Sequence, residues 1–216
     1  MWPSDPIEQE KLARDFVSGR AEHQRVDLKS TLSLEPKRAV VEMIRDISAI
    51  ANTDEDWGYI VIGAERGRVV GQVDALSDGN LERTSEKLTQ VSHNYLDPVP
   101  RFRLVPFYDP AVGAWGIIVV EPSTDQPYMF VRGFTDEKDK PVFRSGDWYV
   151  RRGDTTDLAL PRDWARVLER RVRRALQPME FEIGALRERV AAVESNMGAA
   201  LLQRREPQRD RLLDAA

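Results

Sequence analysis

Apolar and polar positions follow two different periods in the first fifty residues. The stretch "SDPIEQEKLARDFVSG" places a capping residue at Asp5, a proline in the first turn and a stop at Gly19, which predicts a helix. Over most of the stretch from Val26 to Leu34 apolar and polar residues alternate, and this period is typical of a half-buried strand. The chain is therefore expected to begin with a helix followed by a strand.

A second helix and a hairpin are predicted next. Pro36 opens a stretch in which apolar residues recur at helical spacing from Val40 to Ala51, and Asn52 is expected to end this helix in a left-handed conformation. The following stretch, "WGYIVIGAERGRVVGQV", predicts a buried strand, a tight turn around Gly67 and a returning strand.

One more helix and several strands complete the first 160 residues. Helical spacing between Leu81 and Tyr95 predicts a helix that ends at "DPVP". Strands are predicted in "RFRLVPFYD", "WGIIVVEP", "PYMFVR" and "DWYVRRG". This mixture predicts an α+β fold with a mixed sheet, in a single domain over residues 1–160.

The composition changes after residue 160. The stretch "PRDWARVLERRVRRALQ" predicts an arginine-rich helix, which Pro178 is expected to interrupt. Apolar residues then alternate spacings of four and three, the a/d pattern of a coiled coil: Met179, Ile183, Leu186, Val190, Val193 and Met197. We assign residues 161–206 to a helix and coiled-coil oligomerisation segment, and 207–216 to a flexible tail. The alternative to a homo-oligomer is a helix that folds back on its own domain.

Composition narrows the functional classes. The chain has a net charge of −4, no cysteine and two histidines, His23 and His93. Disulfides and thiolate metal sites are therefore excluded, and a histidine-rich zinc site is not expected. Neither a signal peptide nor an apolar run of membrane length is found, so we expect a cytoplasmic protein with no membrane partner.

Four segments carry a family resemblance when they are read in order: "GRAEHQRVDLK", "IRDISAIANTDEDWGYIVIGAERG", "GIIVVEPSTDQPYMF" and "DWYVRRGDTT". The motif positions within them are Glu22, Asp27 and Lys29, then Ala51, Asn52 and Thr53, then Ile62, Gly63, Glu65 and Gly67, and finally Tyr149, Arg151 and Gly153. Over about residues 10 to 157 the chain resembles the Schlafen AlbA-like domain, which is described as a nucleic-acid-binding or ATP-binding domain.

The resemblance implies a catalytic site with three acids and a lysine. In eukaryotic Schlafens, acids at these motif positions are implicated in cleaving structured RNA, which carries over to Glu22, Asp27 and Glu65, with Lys29 in support. Three converging carboxylates would hold Mg²⁺ or Mn²⁺. Alternatively, Asp27 and Lys29 form a solvated surface pair and Glu65 lies on a turn.

The chain departs from the family pattern at two places. The family usually has adjacent glycines after Asn-Thr, whereas this chain reads "DEDWGY" and keeps Gly58 alone. This change counts against a tight phosphate-binding loop. Asp27 also stands where glutamate is common in the family, and Glu65 where aspartate is common.

Arginines predict where nucleic acid would bind. In "MFVRGF" and "DWYVRR", and at Arg144 between them, arginines are interspersed with aromatic residues that could stack on bases, and a second group lies on the predicted C-terminal helix. The alternative places the aromatics in the core and the arginines on solvated faces. The candidate contacts are Arg132, Arg144, Arg151, Arg152, Arg170, Arg171, Arg173 and Arg174.

Three functions follow from these patterns. The first is a nucleic-acid-binding protein with RNA or DNA as partner, in its finer form a metal-dependent endoribonuclease that acts on structured RNA in a stress or phage-defence setting. Eukaryotic Schlafen cores have two related lobes around a basic groove, so self-association is expected to supply the second lobe. The second function is an ATP-binding regulatory protein, although no Walker-type motif supports hydrolysis. The third is an oligomeric scaffold without catalysis.

Overall fold

A computed structural model describes residues 2–19, 26–35, 37–53, 56–123 and 126–213. The chain divides into two compact units, Met1–Val167 and Leu168–Ala216. The helices are α1 (Pro6–Ser18), α2 (Lys37–Thr53), α3 (Leu81–Tyr95) and α4 (Pro161–Leu213), with a short 3₁₀ turn at Asp74–Leu76. The strands are β1 (Val26–Lys29), β2 (Gly58–Ile62), β3 (Ala64–Glu65), β4 (Arg68–Val69), β5 (Leu96–Asp97), β6 (Phe102–Asp109), β7 (Gly113–Val120), β8 (Met129–Phe130), β9 (Phe134–Thr135), β10 (Pro141–Phe143), β11 (Tyr149–Arg152) and β12 (Thr155–Leu158).

The first unit is built around a four-stranded mixed sheet in the order β1-β2-β7-β6. β1 and β2 are parallel, since α2 connects them, while β2–β7 and β7–β6 are antiparallel. The expectation of an α+β fold with a mixed sheet is confirmed.

The central strand β2 is buried on both faces, which explains its unbroken apolar sequence. Ile60 and Ile62 pack into the larger cluster with α2 and α3, while Tyr59 and Val61 pack on the other face with Phe16 of α1. Successive side chains of a strand point to opposite faces, so each face of β2 receives one set. The sheet therefore separates two apolar layers.

Local signals in the sequence produce the predicted ends of α1. The Asp5 side chain accepts a hydrogen bond from the Ile7 backbone N–H, and Gly19 ends the helix with φ of 72°. The turn around Gly67, with φ of 86°, is also confirmed. The predicted strand from Val26 ends at Lys29, earlier than the alternation through Leu34 suggests.

The second unit consists of the part of α4 that begins at Leu168. The expected interruption at Pro178 is wrong, because α4 continues through it to Leu213. A proline removes one backbone donor, and the turns on either side carry the helix across that defect. The helix also extends into residues 207–213, where a tail was expected.

One row of apolar side chains on this unit is exposed to solvent by 45–60 %. We call it the apolar seam, and it comprises Val172, Leu176, Met179, Ile183, Leu186, Val190, Val193 and Met197. It extends the predicted coiled-coil row by two residues toward the N-terminus. Among the helices that the structure describes, none is long and apolar enough to cross a membrane.

Candidate functional site

The two polar side chains of β1 face α2. Asp27 lies opposite Ile60 and Lys29 opposite Ile62 in the parallel pairing with β2. Because Ile60 and Ile62 belong to the layer that contains α2, Asp27 and Lys29 project toward the same side. The period-two pattern of the sequence thus places both groups on one face, as expected.

Asp27 is held by two cations. Its Oδ1 accepts a hydrogen bond of 2.9 Å from Nη2 of Arg151, and its Oδ2 lies 3.0 Å from Nζ of Lys29. The side chains of Asp27 and Arg151 are only 11 % and 3 % exposed. Arg151 Nη2 also donates to the backbone carbonyl of Asp154. The Asp27–Arg151 contact is a buried ion pair, and the Asp27–Lys29 pair considered from the sequence is formed, but Asp27 is buried in it and Lys29 is 34 % exposed.

A second buried acid completes the arrangement. Nζ of Lys29 lies 2.8 Å from Oδ2 of Asp46, whose other oxygen accepts from the Thr156 hydroxyl at 3.0 Å and lies 3.5 Å from Nη2 of Arg45. Burial alone would lower the pKa of Lys29, but the two carboxylates outweigh it and raise that pKa. We call Asp27, Lys29, Arg45, Asp46 and Arg151 the charged cluster.

Sequence reasoning missed Asp46, although a signal was present. Asp46 interrupts the apolar stripe of α2, where Met43 and Ile50 lie three residues before and four residues after it on the same helical face. An acid at such a position is almost never buried without a partner. Its partner, Lys29, lies on the neighbouring strand.

The end of α2 fixes the strand that carries Arg151. The Asn52 amide donates to the carbonyls of Tyr128 and Tyr149 and accepts from the Tyr128 N–H, at 2.8–3.1 Å. The Thr53 hydroxyl accepts from the Arg151 N–H at 2.7 Å. The left-handed stop expected at Asn52 is wrong, since this residue is helical and buried. The Ala-Asn-Thr motif instead ties α2 to β11.

Glu65, the other predicted acid that the structure describes, does not join the cluster. Glu65 is the last residue of β3, next to the turn, and is 46 % exposed, with its carboxylate 2.6 Å from Nη2 of Arg68. Glu22 and His23 lie outside the described residues. Of the four predicted catalytic residues, the structure therefore brings together Asp27 and Lys29.

The described carboxylates do not fit Mg²⁺ or Mn²⁺ as they are arranged. Each oxygen of Asp27 faces a cationic side chain, and Glu65 has its own ion pair. Over the described ranges no group of three histidine, cysteine or acidic residues is placed to hold a metal ion. A metal site formed by Glu22, Asp27 and Glu65 stays a prediction.

Two of the candidate nucleic-acid contacts are exposed on neighbouring segments of the first unit. Arg132 follows β8 and Arg144 follows β10. The segments are joined where the Ser145 hydroxyl donates to the Val131 carbonyl at 3.0 Å. Neither guanidinium forms an ion pair with another described residue. We call Arg132 and Arg144 the arginine pair.

The next two candidate arginines form ion pairs inside the first unit. Arg151 is buried in the charged cluster, and Arg152 pairs with Asp163 at the start of α4. Burial alone would raise the pKa of Asp163, but hydrogen bonds from the Leu160 N–H and from Arg152 outweigh it, so that pKa is lowered. Both arginines thus have structural partners.

Three of the four aromatics in "MFVRGF" and "DWYVRR" belong to the core, and the fourth, Phe134, is partly buried. Phe130, Trp148 and Tyr149 are each less than 9 % exposed, so they present no face on which a base could stack. Burial, followed by the charge of Asp147, raises the pKa of Tyr149 to about 12. The alternative reading of the sequence thus holds for these aromatics but not for Arg151, which is buried rather than on a solvated face.

The helical arginines lie in the second unit. Arg171 is exposed, and Arg173 donates to Glu169 at 3.1 Å. Arg170 and Arg174 are partly buried. Their role as nucleic-acid contacts stays a prediction.

Comparison with known proteins identifies one family. The family model described as "Schlafen, AlbA_2" matches residues 22–160, and a match of this kind indicates a nucleic-acid-related function. No curated protein matches the chain. Among solved structures, the N-terminal domain of a RecG-related protein from Nitrosomonas europaea is similar at 17 % identity and a TM-score of 0.37, over 68 % of this chain and 91 % of that one. The family assignment rests on the family model.

Proposed function

Because the chain belongs to the Schlafen AlbA_2 family, we propose that it binds RNA or DNA through the arginine pair of its first unit. The observation that supports this proposal is the exposure of Arg132 and Arg144 on adjoining segments, without ion pairs to other described residues. Two such guanidinium groups are suited to phosphate oxygens, which they can contact through paired N–H donors.

The charged cluster has a positioning role in this proposal. Arg151 anchors β11 to β1 through Asp27. The turn immediately before β11 carries Arg144, whose backbone N–H donates to Asp147 at 2.8 Å. Fixing β11 therefore fixes the segment that presents one half of the arginine pair. The buried acids and bases act on the fold, and the exposed arginines act on the ligand.

The experiment compares two double variants of equal charge. Arg132→Ala/Arg144→Ala removes the arginine pair, and Arg66→Ala/Arg83→Ala removes two exposed arginines elsewhere on the first unit. Binding of labelled RNA hairpins, single-stranded DNA and duplex DNA is measured by fluorescence anisotropy at several salt concentrations. For the first variant we expect weaker binding and a salt dependence reduced by about 0.7–0.9 per lost phosphate contact. Equal loss in both variants would contradict the assignment, since it would reflect net charge alone.

Metal-dependent cleavage of structured RNA is the finer form of the proposal, and it rests on the resemblance alone. The same RNA hairpins are incubated with Mn²⁺, with Mg²⁺ or with EDTA, beside Glu22→Gln and Glu65→Gln. Glu65 is exposed, so its substitution leaves the core intact. Cleavage that needs the metal and is lost in both variants would support the endoribonuclease. Binding without cleavage would support the non-catalytic protein.

Self-association is the third part of the proposal. The apolar seam gives each chain a surface for a second copy, and two linked nucleic-acid sites bind more tightly than one. Deletion of residues 179–216 should therefore yield a monomer that binds long RNA more weakly than the full chain. A truncated monomer with unchanged affinity would contradict this part alone.

ATP binding is a second candidate, favoured by one cavity. A cavity of about 480 Å³ is lined by Lys37, Arg38, Lys138 and Phe134, among others. Nζ of Lys37 lies 5.8 Å from the ring centre of Phe134. Cations beside an aromatic ring are suited to a nucleotide. Thermal stabilisation by ATP that is lost in Lys37→Ala would support this candidate, and no stabilisation would contradict it.

A further inference from the structure

The apolar seam runs along the second unit at the spacing of a two-stranded coiled coil. In heptad terms Val172, Met179, Leu186 and Val193 occupy d positions, and the a positions hold Leu176, Ile183, Val190 and Met197. We propose that this seam pairs with the seam of a second copy of the chain in antiparallel orientation, with Ile183 opposite Leu186 of the partner subunit. The inference rests on the self-association proposed above and adds its direction and register.

The two central layers of this pairing combine side chains of different shape. Ile183 meets the partner's Leu186, and Met179 meets the partner's Val190. In each layer one residue is branched at Cβ and the other is not. A side chain branched at Cβ on one helix then faces an unbranched side chain on the other, which favours interdigitation of the two side chains.

The same rule holds in the two outer layers. Leu176 meets the partner's Val193, and Val172 meets the partner's Met197. Each layer again combines one β-branched residue with one unbranched residue. An antiparallel pair therefore uses all eight seam positions in layers of mixed shape.

Charges beside the seam fit the same register. In an antiparallel pair e positions face e positions and g positions face g positions, so Glu180 meets the partner's Arg187 and Glu182 meets the partner's Arg189. All four side chains are exposed on the second unit. Opposite charges thus flank the central layers on both sides, and they set orientation more than they add stability.

An in-register parallel pair leaves Glu180 without an opposite charge across the interface. It would place identical residues in every layer, including two pairs of valines at positions 190 and 193. It would also set Glu180 opposite the partner's Ala175, whereas Glu182 and Arg189 would still meet opposite charges from the partner's Arg187 and the partner's Glu194. Pro178 and Gly184 lie at outer positions in both cases, so neither distinguishes the orientations.

The direction has a consequence for nucleic-acid binding. In the antiparallel register the two copies of Leu168 lie about 50 Å apart along the pair, at about 1.5 Å per residue. The two first units are attached at opposite ends. Each then binds its own stretch of nucleic acid, and ligands that reach both gain affinity.

Cysteine cross-linking tests the direction directly, because the chain has no cysteine of its own. Met179→Cys and Val190→Cys are prepared separately as full chains. Each variant is oxidised by itself in a glutathione buffer, and a third sample, in which the two variants are refolded together, is oxidised in the same way. The readout on a non-reducing gel is a covalent dimer of twice the 24.7 kDa chain mass. Helix content by circular dichroism and mass by sedimentation verify that each variant assembles.

The antiparallel pair predicts a covalent dimer in the mixture and very little in either variant alone. Like positions lie about 16 Å apart along the axis at about 1.5 Å per residue, beyond disulfide reach. Dimers formed by each variant alone would establish the parallel arrangement and overturn the inference, and so would no cross-link in any sample. If a variant fails to assemble, Leu176→Cys with Val193→Cys gives the same comparison. No nucleic acid is present, so failure of the arginine-pair proposal leaves this result unaffected.

Discussion

Replacing Asp27 with asparagine removes one negative charge from the charged cluster and keeps the size of the side chain. Lys29 retains Asp46 at 2.8 Å and is 34 % exposed, so water and the second acid still stabilise its positive charge. Arg151 does not share this compensation. Its side chain is 3 % exposed, and the Asp154 carbonyl is its remaining acceptor among the described contacts.

The loss of stability in Asp27→Asn comes from the Arg151 charge, which stays buried without its carboxylate partner. Removing one partner of a buried ion pair costs about 3–5 kcal/mol, and an asparagine oxygen can keep part of the hydrogen bond from Nη2. We therefore expect the free energy of unfolding to fall by about 3 kcal/mol. For a unit of this size the midpoint temperature should drop by roughly 6–12 °C.

Urea unfolding of the full chain, followed by tryptophan fluorescence, measures this change. All five tryptophans lie in the first unit, at positions 2, 57, 115, 148 and 164, so α4 beyond that unit does not contribute to the signal. Glu65→Gln is the matched control, because it removes an acid from an ion pair that is 46 % exposed, and it should cost under about 1 kcal/mol. A free energy for Asp27→Asn within about 1 kcal/mol of the unsubstituted chain would refute the reasoning.

Three further predictions concern the elements around the cluster. Asn52→Ala leaves the buried backbone groups of Tyr128 and Tyr149 without their partner, and should lower the free energy of unfolding by about 3 kcal/mol in the same urea assay; an unchanged midpoint would count against the bridging role. The folded pKa of Asp163 is lowered, so its contribution to stability is present above its unfolded pKa and is lost as pH falls below about 4. In Asp163→Asn the free energy of unfolding should therefore decline less steeply below about pH 4. An unchanged decline would contradict the stabilising role of the Asp163 carboxylate. The pKa of Tyr149 is raised to about 12 from 10.0, so stability should decline as pH rises from 10 toward 12, and phenolate absorbance of Tyr149→Phe should differ from the unsubstituted chain only near the upper end of that range.

Local sequence signals predicted the elements of the fold whose causes are local. The caps of α1 at Asp5 and Gly19 and the turn at Gly67 each depend on one residue and its immediate neighbours. The apolar stripe of α2 and the continuous apolar run of β2 likewise report burial directly. These features need no knowledge of distant partners.

The candidate site depends on partners that are far apart in sequence. Asp27 and Arg151 are separated by 124 positions, and no periodicity relates them. The sequence could place Asp27 and Lys29 on one face, but the pairing of Asp46 with Lys29 depends on how α2 packs against β1. For the same reason Arg151 was grouped with surface arginines, although the fold buries it against Asp27.

Asn52 shows how a motif can be identified and its role misjudged. An asparagine near the end of an apolar helical stripe is a common left-handed stop. Here its amide has backbone partners on two other segments, which satisfy its donors and acceptor inside the core. Only the tertiary structure supplies those partners.

The most direct test of the central claim is the affinity of the full chain for labelled RNA and DNA, with and without the arginine pair, as a function of salt. We predict binding that weakens as salt rises, and a smaller salt dependence in Arg132→Ala/Arg144→Ala than in the Arg66→Ala/Arg83→Ala control. The account would be contradicted if the chain bound neither nucleic acid at low salt, or if loss of the arginine pair left affinity and salt dependence unchanged.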